Sequence, residues 1–175
     1  MSVTPITPRP LASAPSLDSA QKFYQVLQAP APLAGMSFPY RVPWASLASA
    51  GFQSVVCLTN AVAPYDPSPL RIMRAVKFKD LYGGADPDDP AREAGELADV
   101  VGAVVAELCA GRGVVVHCQG GTGRKGTVLA CTFRALGMSE EDVLRYMATV
   151  NRARGKSKGW PESEWQALQV EKFAH

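Results

Sequence analysis

The sequence predicts an α/β fold: one domain on a central, mainly parallel sheet of four to five strands, flanked by helices. Three observations predict it. Val114–Val116 is an unbroken apolar run of strand length, as expected where helices cover both faces of a sheet. Longer stretches carry apolar side chains at helical spacing. The two kinds of segment alternate along the chain, the pattern of a sheet with helical crossovers.

Each element follows from local chemistry. Residues 1–16 are rich in Pro, Ser and Ala and read as a flexible arm. Residues 18–28 fit a short helix capped by Asp18. Leu33 to Phe38 fits a first strand. Pro43 to Ala50 suits a short helix, with Pro in the first turn and Gly51 as its end. Phe52 to Leu58, with Val55 and Val56 at its centre, reads as a buried strand, and Ile72 to Phe78 as another. Asp80 to Pro90 holds four aspartates and two prolines and is a loop. Over 91–110, Leu97, Val100, Val101, Val104, Val105 and Leu108 make one apolar helix face, stopped by Gly111 and Gly113. After Val114–Val116 comes a largely apolar helix, 124–136. Ser139 and the acids at 140–142 start the next helix, whose inner face is Val143, Leu144, Met147 and Val150. Pro161 opens the last one. No repeat and no second domain are visible, so residues 17–175 form a single unit, large enough for a sizeable core.

Composition narrows the function. Of 175 residues, 47% are apolar and 19% charged, with a net charge of +2. That balance favours neither nucleic acid nor a membrane surface as a partner. No apolar run approaches the roughly 18 residues that span a bilayer. Pro5, Pro8 and Pro10 break the start of the chain, which has no secretory pattern, so the expected compartment is the cytoplasm. The cysteines, Cys57, Cys109, Cys118 and Cys131, have no zinc-like spacing, and the chain has only two histidines, so neither metal nor cofactor is expected. Cys57, Cys109 and Cys131 sit in apolar runs as small hydrophobes. Cys118 instead opens a glycine-rich loop.

That loop is His117-Cys118-Gln119-Gly120-Gly121-Thr122-Gly123-Arg124-Lys125. A buried strand enters it and a buried helix leaves it. Such a turn aims backbone N–H groups and a helix N-terminus at one point, which suits an anion. Five residues separate Cys118 from Arg124, so a curled loop lets the sulfur and the guanidinium fork face one bound group. The same positive field favours thiolate over thiol, giving a nucleophile that needs no partner base. Other readings fit less well. Gly121 to Gly126 matches G-x-G-x-x-G by letter, but a dinucleotide site wants an early strand and an acid at the end of a second strand. A nucleotide-triphosphate loop with Lys125 as its lysine lacks the required Gly, Gly and Ser/Thr. A plain glycine turn with a buried cysteine leaves Arg124 unexplained. A sulfurtransferase loop leaves both Arg124 and an acid at position 80 unexplained.

His117 to Arg124 resembles the His-Cys-x5-Arg signature of the protein tyrosine phosphatase superfamily. Leu47 to Leu58 is similar to the early helix and strand of the compact dual-specificity phosphatases, Lys79 to Gly84 to their general-acid loop, and Asn151 to Gly155 with Ser163 to Gln166 to their ending. The resemblance covers residues 33–173 and implies the cysteine-dependent phosphatase fold. It implies that Cys118 is the nucleophile and forms a phosphocysteine. Arg124 and the backbone of Gln119, Gly120, Gly121, Thr122 and Gly123 bind the phosphoryl group. Asp80 is the general acid, with Asp86, Asp88 and Asp89 as rivals on the same loop. His117 supports the loop from behind, and Gln166 either orients water or lies exposed. Cys57 is the candidate for a reversible disulfide with Cys118. The chain departs from the family at Lys125, where Ser or Thr usually follows the arginine; Thr127 faces elsewhere. Either Lys125 supplies charge in place of the hydroxyl, or the domain binds phosphate with little or no turnover. The expected substrate is a phosphorylated protein or a small phosphomonoester. The basic stretch Arg152 to Lys158 reads as a solvated turn, with an anionic substrate as the alternative occupant.

Overall fold

Val114, Val115 and Val116 have no polar side to turn toward water, and they lie in the interior of the sheet. The computed structural model describes residues 6–8, 22–120, 122–156 and 159–173. Its strands are Thr7–Pro8 (β1), Tyr24–Ala29 (β2), Leu33–Met36 (β3), Phe52–Cys57 (β4), Arg71–Ala75 (β5) and Gly113–His117 (β6). They form one sheet in the order β1-β2-β3-β6-β4-β5. β6 runs parallel to both β3 and β4, and β4 runs parallel to β5. The helices are Trp44–Ser49 (α1), Pro90–Cys109 (α2), Gly123–Ala135 (α3), Glu140–Ala153 (α4) and Glu164–Lys172 (α5).

Alternation along β6 divides the core in two. Val114 and Val116 join the larger cluster, under α2, α3, α4 and α5. Val115 joins the smaller one on the opposite face, with Leu47 of α1, Phe52 and Phe23. Leu97, Val100, Val101, Val104 and Leu108 form the buried stripe of α2. Each contributes roughly 2 kcal/mol by leaving water.

The α/β class and the single domain stand as expected; among the described residues the sheet has six strands rather than four to five. The added strands are β1 and β2, antiparallel at one edge. Residues 24–28 were expected in a helix, yet they form β2. Tyr24 pairs with Gly35, and a Cβ at Gly35 would lie 2.6 Å from the Tyr24 ring. A glycine on the neighbouring strand therefore seats the aromatic side chain, a tertiary contact that overrides local helix preference. Asp18 lies outside the described residues. The arm is not free of structure throughout, since Thr7 and Pro8 pair with β2. The last helix begins at Glu164 with the Ser163 hydroxyl as its cap, not at Pro161. Leu144 is 37% exposed, away from the inner face of α4, and Cys109 is exposed at the end of α2 rather than in the core.

Candidate active site

β6 ends at His117, and Cys118 follows it into the loop with 1% exposure. α3 begins at Gly123, and its N-cap Thr122 makes no side-chain capping bond. The first-turn N–H groups of α3 are therefore left for another acceptor at the mouth of the loop. Gln119 is held from outside: its carbonyl accepts from Phe38 N–H at 2.8 Å, and its Nε2 donates to the Tyr40 hydroxyl at 3.0 Å. Gly120 is half-buried, and Gly121 lies outside the described residues. Arg124, in the first turn of α3, is 11% exposed in its side chain. Its Nη2 meets Asp80 Oδ2 at 3.1 Å and its Nη1 donates to Phe78 O at 3.4 Å. The loop after β5 is thus tied to the cysteine loop through one guanidinium.

That contact separates Asp80 from its rivals. Asp89 caps α2 by accepting from Arg92 N–H at 3.0 Å. Asp88 pairs with Lys79 at 2.6 Å, and Asp86 is exposed. Of the four, Asp80 is the one paired with Arg124.

Burial, with the charges of Lys125 and Arg124, pushes the His117 imidazole down to about 4, so it is neutral near pH 7. Its Nε2 lies 2.6 Å from the Tyr65 hydroxyl and its Nδ1 3.5 Å from Cys118 O. Burial holds Tyr65 protonated. A neutral ring that accepts from Tyr65 carries its proton on Nδ1, facing the Cys118 carbonyl. His117 therefore lies behind the loop, between the Tyr65 hydroxyl and the Cys118 carbonyl.

Lys125 is fully buried, and its Nζ has no hydrogen-bond partner. The ammonium lies 5.3 Å from the centre of the Tyr24 ring, on which the Arg154 guanidinium also sits, at 3.9 Å. Burial drives Lys125 down to about 7; the charge of Cys118 pulls it up, and Arg154, Lys156 and Lys22 push it down further. The side chain that replaces the family's hydroxyl is thus an amine within electrostatic reach of the sulfur, about half protonated at neutral pH. Thr127 does face elsewhere: its Oγ1 donates to Gly123 O and accepts from Trp160 Nε1, both at 2.9 Å. The basic stretch is only partly a solvated turn, since Arg154 packs on Tyr24; Ser157 and Lys158 lie outside the described residues.

Gln166 is 1% exposed, which removes the exposed-helix reading of it. Its Oε1 accepts from Glu162 N–H at 2.8 Å. Glu162 itself was not legible in the sequence. Its carboxylate reaches the cysteine loop: Oε2 lies where a Cβ on Gly123 would stand, beside the Thr122 and Gly123 amides and within charge reach of Arg124 and Asp80. An acid after Pro161 reads as an ordinary helix start; the only hint was its place four residues before Gln166.

No disulfide joins Cys57 to Cys118. Cys57 pairs in register with His117, one residue from the nucleophile candidate, and its sulfur contacts Thr59 Oγ1 at 3.5 Å. Among the described residues no three His, Cys, Asp or Glu side chains converge as metal ligands, and no helix is long and apolar enough to cross a membrane.

No curated protein matches the chain. Among solved structures it is similar to human DUSP28, with a TM-score of 0.55 and 23% identity over 78% of this chain and 87% of that one. It is similar to PTPMT1 in complex with PI(5)P, with a TM-score of 0.58 and 15% identity over 81% of this chain and 88% of that one. It also resembles human tyrosine phosphatase-like serine/threonine/tyrosine-interacting protein, with a TM-score of 0.57 and 14% identity over 81% of this chain and 89% of that one. At such identities these structures speak for the fold alone. The family model of the "Swiss Army Knife protein, DSP-PTPase phosphatase domain" matches residues 22–167, so the chain belongs to that phosphatase family.

Proposed function

We propose that this protein hydrolyses phosphomonoesters through a phosphocysteine on Cys118. The observation that carries the reading is the Arg124 guanidinium, which shares one short loop with a buried Cys118 and is paired with Asp80 at 3.1 Å. The Cys118 thiolate attacks phosphorus, forming an S–P bond as the P–O bond to the leaving group breaks. Arg124 and the loop N–H groups hold the charge on the phosphoryl oxygens. Asp80 gives its proton to the departing oxygen. Water then attacks phosphorus, losing a proton to the Asp80 carboxylate and forming a P–O bond as the S–P bond breaks; phosphate leaves and the thiolate returns. Lys125 supplies positive charge at the sulfur when it departs.

The substrate class is a phosphorylated protein or small phosphomonoester. Phosphotyrosine fits, and a shallow pocket admits phosphoserine or phosphothreonine. PTPMT1, crystallised with PI(5)P, supports including non-protein phosphates. The small net charge of +2 argues against nucleic acid or a membrane surface as the partner, and we place the protein in the cytoplasm on the same composition.

The test is hydrolysis of a simple aryl phosphate without added metal, from mildly acidic to mildly basic pH. Turnover should vanish in Cys118→Ser. It should fall about a hundredfold in Asp80→Asn, the usual scale for a lost general acid. Asp80→Asn should also lose the basic arm of the pH profile. The buried Lys125 supports a second reading, a module that binds phosphate without turning it over. Oxyanion binding by a wild type that releases no product would establish that reading.

A further inference from the structure

The proposed phosphoryl cradle already holds an anion of the protein's own. Glu162 enters it from the segment before α5. Its Oε2 lies against Gly123, beside the Thr122 and Gly123 amides and in the charge field of Arg124. Those amides belong to the stretch that would hold phosphoryl oxygens. Two features put the carboxylate there. Gly123 has no Cβ, and any side chain at that position would strike Glu162 Oε2. Buried Gln166 fixes the Glu162 backbone by accepting its N–H at 2.8 Å.

The charges around Glu162 come from three directions. Asp80 faces it from the loop after β5, Arg124 from α3, and Lys156 from the segment after α4. Burial first, and Asp80 second, hold its carboxyl above the ordinary glutamate range, while Arg124 and the two amides oppose that rise. A phosphoryl dianion arriving here would compete for the same two amides and would sit beside two carboxylates. Like charges at that range disfavour each other strongly.

We propose that Glu162 is a built-in competitor for the phosphoryl group: its carboxylate occupies the anion cradle of the resting protein, and an oxyanion binds by displacing it. The inference rests on the anion cradle of the phosphatase reading and not on turnover.

Tungstate binding to the full chain, followed by calorimetry across mildly acidic to mildly basic pH, tests it. At neutral to basic pH, Glu162→Ala should bind tungstate about tenfold more tightly than wild type, the effect of about 1.4 kcal/mol. Glu162→Gln keeps the shape and removes the charge, and should gain in the same direction by less. The ratio of variant to wild-type affinity should shrink toward one as the pH falls and Glu162 takes up a proton. Comparing proteins at each pH cancels the titration of the ligand. Equal or weaker binding by both variants at every pH would overturn the proposal and leave the phosphatase reading intact. Failure of all three proteins to bind tungstate would overturn both.

Discussion

The sheet has a buried charge at each end, and the two are treated in opposite ways. At the amino ends of β4 and β5, Glu107 of α2 is 9% exposed in its side chain and fully partnered. It accepts from Ser54 Oγ at 2.8 Å and from Arg112 at 2.7 and 3.0 Å, and pairs with Arg71 at 2.8 Å. At the carboxyl end of β6, beside Cys118, Lys125 is deeper and its Nζ has no hydrogen-bond partner. A buried group with all its partners holds a fold together; one without them costs stability and persists where function needs its charge. One end of the sheet is built for stability; the other, on the proposed reading, serves chemistry.

Removing each charge in turn tests that contrast, and Glu107 should give the larger effect. Glu107→Ala should destabilise by about 2 kcal/mol, less than a wholly buried pair because Arg71 and Arg112 can turn to water. Urea unfolding reads this as a lower midpoint at unchanged slope. The arginines lower Glu107 from 4.5 to about 2, Arg112 foremost. Its stabilisation is therefore complete above pH 4.5 and drains away as the pH falls toward 2, a loss the variant should lack.

Lys125→Met should act in the opposite sense, stabilising by about 1 kcal/mol as an apolar chain of similar length replaces a buried cation. Aryl phosphate turnover should drop about tenfold, because the sulfur loses its charged neighbour. Linkage gives a further sign. The unfolded lysine holds its proton up to 10.5 and the folded one only to about 7, so the unfolded state binds more protons in that window. Wild-type stability should rise with pH across it, and Lys125→Met should lose that slope. Equal stability changes from the two substitutions would erase the distinction between the ends.

Much of this was legible in the sequence, for identifiable reasons. The valines of β6 and the stripe of α2 announce themselves because burial on both faces, or along one, writes a pattern into a single segment. Cys118 and Arg124 were visible because one short loop carries both. β2 was not, because what makes it a strand is the empty space over Gly35 on another strand. Glu162 was hidden for the same reason: its role arises only where α5's lead-in meets Gly123, across a gap that no local pattern records. Cys109 misled because it follows the periodic stripe of α2 yet falls at its open end.

Capture of the covalent intermediate tests the chemistry itself. Wild-type protein mixed with an aryl phosphate, quenched in acid within the first turnover and digested, should yield a peptide carrying a phosphoryl group on Cys118. The adduct should be absent in Cys118→Ser. Release of product without that adduct, or with phosphate on another residue, would contradict nucleophilic attack by Cys118.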